Sequence, residues 1–223
     1  MRLWIAVAIS FFFISSAFAG VSREYLEYGA EKIRLDVYNP GSMDCGVVIL
    51  IHGAAGIESG DRAQRYKKFA TDLMNKGFIA INVYYFDTQS RQWNKTIIEA
   101  VNYAGTIKNV DKGRIGLVGY SLGGTIALQV ASADTRIKAL AINSGYLPAG
   151  FTKEDARRLP VTFFASGSDD SAINTLKTLE AWFNESGKRI YTKINQGLGH
   201  DNVPMYIFEE DWNAILRFLT DNL

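Results

Sequence analysis

Residues 114–124 read Arg-Ile-Gly-Leu-Val-Gly-Tyr-Ser-Leu-Gly-Gly, and they constrain the fold more than any other stretch of the chain. Residues 115–118 form an apolar run suited to a buried strand, and residues 125–131 (Thr-Ile-Ala-Leu-Gln-Val-Ala) suit a helix. Between them stands Gly119-Tyr120-Ser121-Leu122-Gly123, a Gly-x-Ser-x-Gly pentapeptide. A chain passing this abruptly from strand to helix must hold the serine in a strained conformation. Glycines two residues to either side let strand and helix approach without Cβ clashes. Alone the pentapeptide says little, since Gly and Ser are common. With a strand before it and a helix after it, it specifies a sharp turn that lifts a serine hydroxyl out of the end of a sheet.

The rest of the sequence supplies such a sheet. Apolar runs of strand length fall at residues 33–38, 46–51, 78–85, 137–143, 161–165 and 190–194. Helix-period segments alternate with them at 63–76, 93–108, 173–185 and 206–218. In the first of these Phe69, Leu73 and Met74 share a face, and Gly77 follows as the stop signal. Alternation of this kind predicts an α/β fold: a single domain with a mostly parallel central sheet and helices on both faces. Residues 146–160 form the longest loop after the pentapeptide, long enough for a small flap but too short for a large cap domain.

The first 19 residues read as something separate. Met1-Arg2 is a short positive start, residues 3–13 are mostly apolar, and Ala17-Phe18-Ala19 has the small-x-small form of a cleavage site. The apolar stretch is broken by Ser10, Ser15 and Ser16 and falls short of the roughly 20 residues needed to span a bilayer. Residues 1–19 are therefore expected to be a signal peptide, and residues 20–223 a periplasmic or secreted domain with no stable membrane anchor. Without residues 1–19 the charge balances at 23 basic and 23 acidic side chains, scattered along the chain, so nothing steers it to nucleic acid. Cys45 is the only cysteine, which excludes an internal disulfide. With two histidines and one cysteine, a zinc site is not expected.

A serine hydroxyl is a poor nucleophile at neutral pH and needs a base within hydrogen-bond reach. Histidine suits the task because it takes and returns a proton near pH 7. His200 lies in the glycine-rich segment Gln196-Gly197-Leu198-Gly199-His200, after the last expected strand, where loops form the rim of a parallel sheet. The acid that would orient it should follow the strand at 161–165, within Gly167-Ser168-Asp169-Asp170-Ser171. Asp170 is the choice and Asp169 the alternative. His52 opens His52-Gly53-Ala54-Ala55-Gly56 after the strand at 46–51, where small residues let backbone N–H groups approach a reacting carbonyl. The amides of Leu122 and Ala54, or Ala55 in place of Ala54, are the expected oxyanion donors. Tyr120, Tyr85 and Tyr146 are candidate pocket residues.

With these residues in the order serine, acid, histidine, the chain resembles the α/β-hydrolase superfamily, and within it the dienelactone hydrolase family. The His52-Gly53 turn, the Ser121 pentapeptide, the acid near Asp170 and Gly199-His200 carry the resemblance. Dienelactone hydrolases proper place a cysteine where Ser121 stands, so the resemblance implies a serine carboxylesterase on that scaffold, with no metal or organic cofactor and a small-molecule ester or acyl substrate. Peptidase, thioesterase or lactonase activity on the same parts, and a non-catalytic binding protein on the scaffold, are the alternatives.

Overall fold

A computed structural model describes residues 19–29, 31–87, 92–200 and 203–223, with the side chains of 203–209 left aside. Residues 1–18 of the expected signal segment 1–19 lie outside these residues. Eight strands form one sheet: β1 (Gly20–Tyr28), β2 (Glu31–Asn39), β3 (Cys45–Ile51), β4 (Ile79–Tyr84), β5 (Val110–Tyr120), β6 (Ile137–Asn143), β7 (Val161–Gly167) and β8 (Ile190–Asn195), in the spatial order β1-β2-β4-β3-β5-β6-β7-β8. β1 and β2, and β2 and β4, pair antiparallel; the pairings from β4 through β8 are parallel. This is the single-domain α/β architecture the alternation predicts.

Six helices accompany the strands: α1 (Gly60–Asn75), α2 (Trp93–Ala104), α3 (Leu122–Ala133), α4 (Lys153–Arg158), α5 (Ile173–Glu185) and α6 (Val203–Asn222). Every side chain of β3 is buried, and its successive residues serve opposite faces. Val47, Ile49 and Ile51 join the core under α2, α3 and α5, while Val48 and Leu50 join the core under α1 and α6. Strand residues buried on both faces read as a continuous apolar run, which is why these strands were visible in the sequence. α2 stops at Ala104, not at 108, because the chain turns at Gly105. The loop at 146–160 carries the short α4, started by a capping box in which Thr152 and Asp155 satisfy one another's backbone N–H groups. Among the described residues, no helix is long and apolar enough to cross a membrane.

β1 is polar and largely exposed, yet it pairs with β2 along nine residues. A side-chain network reinforces that edge: Arg23 Nε donates to Asp36 at 2.7 Å, and the Tyr84 hydroxyl donates to the same carboxylate at 2.8 Å, joining β1, β2 and β4. Burial alone would raise the Asp36 pKa, but the hydrogen bonds from Arg23 and Tyr84 prevail and hold it below the ordinary carboxylate value.

Two outcomes follow from this packing. Ile49→Ala, at a fully buried position in the middle of the sheet, should cost about 2–5 kcal/mol in urea unfolding. The depressed Asp36 pKa makes a stabilising contribution that is complete above the ordinary carboxylate pKa and is lost as pH falls through the lower folded value. Asp36→Asn should therefore lower the urea midpoint at pH 7 and flatten its decline toward pH 3.

Candidate active site

Ser121 joins β5 to α3 with φ 52° and ψ −118°, a backbone conformation that residues with a Cβ seldom adopt. Its N–H donates to the Asn143 carbonyl at the end of β6 (2.9 Å), and its carbonyl accepts from Thr125 N–H (3.1 Å), so the turn is anchored on both sides. The flanking glycines are required by proximity. A Cβ on Gly123 would overlap the Ile51 and His52 carbonyl oxygens, and one on Gly119 would overlap the backbone of Gly123. Strand and helix meet there backbone to backbone.

The Ser121 Oγ lies 3.0 Å from His200 Nε2, and His200 Nδ1 lies 3.0 Å from Asp170 Oδ2. A carboxylate accepts only, so Nδ1 carries the imidazole proton and Nε2 presents a lone pair to the serine O–H. Asp170 is 1% exposed, and its Oδ1 accepts from Ala172 N–H at 2.9 Å ahead of α5. Asp169, its neighbour, is exposed and accepts from Ser168 Oγ at 2.8 Å. The structure thus brings Ser121, His200 and Asp170 together and leaves Asp169 outside. The loop carrying His200 is set against the acid turn by Asp169 N–H donating to the Leu198 carbonyl (3.1 Å) and by Gly167, where any Cβ would overlap that same carbonyl.

An open cavity of about 710 Å³ reaches Ser121 and His200. Residues 53–56 form one side of it, Tyr120 another, and the first turns of α1, including Arg62, Arg65 and Tyr66, the far wall. Leu122 is the first residue of α3, so its N–H has no acceptor within the helix. Ala54 and Ala55 lie in the loop after β3 and both line the cavity. His52 stands behind that loop, fully buried. Its Nδ1 donates to the Gly53 carbonyl at 2.8 Å, and its ring stacks on Tyr85 with centroids 4.1 Å apart. Burial pushes the His52 pKa down and keeps the ring neutral at pH 7. It braces the loop.

Of the three candidate pocket tyrosines, Tyr120 lines the cavity and its ring is nearly parallel to that of His200, with centroids 6.0 Å apart. Tyr85 does not line it. Its side chain is fully buried, and its hydroxyl donates to the His52 carbonyl at 2.6 Å, so the large apolar ring went to the core. Tyr146 is also absent from the cavity wall and has its hydroxyl against Asp170 and His200. The α1 wall was missed from the sequence. Its only signal is that α1 begins four residues after the residue 53–56 loop, too close to turn away from it.

Residues 85–203, more than half of the 223, match the dienelactone hydrolase family, and this stretch contains Ser121, Asp170 and His200. The chain belongs to the dienelactone hydrolase family. Hydrolase chemistry is what this membership supports. Comparison with curated proteins finds no match. Solved structures similar to this family member share its α/β-hydrolase fold at low identity. Est1E from Butyrivibrio proteoclasticus is 15% identical with a TM-score of 0.71, covering 89% of this chain and 98% of that one. Carboxyl esterase 2 from the fungus Tuber melanosporum is 15% identical with a TM-score of 0.73, covering 91% and 88%. A dienelactone hydrolase-like promiscuous phosphotriesterase from metagenomic libraries is 16% identical with a TM-score of 0.75, covering 91% and 98%.

The backbone contact at Gly123 gives a direct test in this dienelactone hydrolase family member. Gly123→Ala has no flexible neighbour to displace, so strand β3 or helix α3 must shift. Thermal unfolding should show a loss of several degrees, on the order of 2–4 °C per kcal/mol for a domain of this size.

Proposed function

We propose that this protein is an exported serine esterase that cleaves small carboxylic esters or related acyl compounds through an acyl-enzyme. The observation that carries the reading is the continuous hydrogen-bonded chain from Ser121 Oγ through His200 to the buried Asp170, set on a strained turn at the mouth of a cavity. In this scheme Ser121 attacks the ester carbonyl while His200 Nε2 takes its proton. Asp170 holds the imidazole in the Nδ1–H tautomer and stabilises the imidazolium without itself taking the proton. The amides of Leu122 and Ala54 receive the developing oxyanion, each such donor being worth about 2.7–4 kcal/mol. His200 then protonates the departing alcohol. Water, deprotonated by the same histidine, attacks the acyl-enzyme and releases the acid.

The cavity volume falls within the range of about 300–1,000 Å³ typical of small-molecule sites. The esterase names of similar folds agree with an ester substrate. Residues 1–19 would direct the chain across a membrane, to a periplasm or to the outside, and the charge balance gives no attraction to nucleic acid or to an anionic bilayer.

Hydrolysis of a p-nitrophenyl ester series by purified residues 20–223 tests the reading. Ser121→Ala should lower kcat by about 10⁴- to 10⁶-fold, since triad members act as a unit. Asp170→Asn should cost about 10⁴-fold through the wrong tautomer, while Asp169→Asn should retain nearly the parent rate. An active Ser121→Ala protein, or equal losses at the two aspartates, would overturn the assignment.

A further inference from the structure

Tyr146 does not line the cavity, yet its placement is tightly determined. Ser144 N–H donates to the Ala165 carbonyl of β7 (2.9 Å) and Tyr146 N–H to Thr125 Oγ1 of α3 (3.0 Å). Leu147 N–H donates to Thr175 Oγ1 of α5 (3.2 Å). Thr125 sits one turn beyond Ser121, and Thr175 lies in the first turn of the helix that Asp170 leads into. Three anchors within residues 144–147 therefore tie the backbone around Tyr146 to β7, to α3 and to α5.

The hydroxyl so placed lies 3.4 Å from Asp170 Oδ1, 3.3 Å from Ser171 Oγ and 3.2 Å from His200 Nδ1. It has one proton to give. The Nδ1–H of His200 is directed to Asp170 Oδ2 at 3.0 Å, so that nitrogen offers no lone pair. Of the acceptors left, the carboxylate is the stronger because it is charged. We propose that Tyr146 is a positioning residue whose hydroxyl donates to Asp170 and helps fix the carboxylate that holds the His200 Nδ1–H. The inference rests on the reading of Ser121, His200 and Asp170 as a triad.

The sign follows from electrostatics. A donor on Oδ1 withdraws charge from the carboxylate that faces the imidazolium. Removing it leaves the carboxylate a stronger acceptor for the His200 Nδ1–H. Asp170 would then keep the Ala172 N–H on Oδ1 and the His200 Nδ1–H on Oδ2, one donor fewer than in the parent. Ser121 at Nε2 and the Tyr120 ring also face His200, and Asp61, Arg62 and Arg65 line the same cavity. Tyr146→Phe leaves all of these in place, so the difference between variant and parent reads the hydroxyl alone.

The test is NMR of the imidazole N–H groups of protein labelled with ¹⁵N,¹³C-histidine, parent against Tyr146→Phe at one pH, alongside kcat and KM on the p-nitrophenyl ester. The chain has two histidines, and His52, with its Nδ1–H on the Gly53 carbonyl, serves as the internal reference. Tyr146→Phe should move the His200 Nδ1–H resonance downfield, leave that of His52 in place, and lower kcat several-fold at constant KM. A His200 Nδ1–H resonance that stays in place or moves upfield would overturn the proposal, as would a higher KM at constant kcat, which marks substrate contact. The NMR comparison needs no turnover, so it judges Tyr146 even where the ester assay rejects the triad.

Discussion

The Ser121 turn is the constraint on which the rest of the molecule depends. A non-glycine residue at φ 52° costs of order 1–3 kcal/mol and persists only where its surroundings over-determine it. Here β6 receives the serine N–H through the Asn143 carbonyl, and β3 abuts the following helix at Gly123, so three neighbouring strands fix one residue. The all-apolar β3, buried on both faces, makes that abutment rigid. The core is therefore the means by which a costly backbone conformation is held at the end of the sheet.

The same strand ends place the other groups. β7 delivers the acid turn and β8 the histidine loop, and the two loops meet where Gly167 leaves room for the Leu198 carbonyl. The histidines diverge in role through burial and partner. His200, half-buried, has a carboxylate on Nδ1 and a hydroxyl on Nε2. His52, fully buried, has a carbonyl on Nδ1 and a tyrosine ring on its face, and desolvation keeps it neutral. One ring lies between a hydroxyl and a carboxylate at the cavity; the other braces a loop.

How much could be read beforehand varied with the physics of each element. The inner parallel strands β3, β4, β6 and β7 were legible because burial on both faces demands continuous apolar runs. β1 left no such mark: most of its side chains are exposed, and it is kept by pairing with β2 and by the Arg23–Asp36–Tyr84 network, which joins residues distant in sequence. The serine and histidine were legible from the strained-turn pattern and from the scarcity of histidine. Asp170 was preferred over Asp169, but adjacent residues share composition and neighbours, and it is the turn after Gly167 that sets which one faces His200. Tyr85 and Tyr146 were candidates for the pocket for the same reason that they are elsewhere. An aromatic ring in a loop goes wherever tertiary packing finds it a partner, and local sequence does not record that direction.

The central claim is that Ser121 is a nucleophile activated by its surroundings. Treating residues 20–223 with a fluorophosphonate and locating the adduct by mass spectrometry tests it most directly. A single phosphonyl adduct on Ser121, absent from Ser121→Ala, is the predicted result. Correctly folded protein that remains unlabelled, or labelling at another residue, would contradict it.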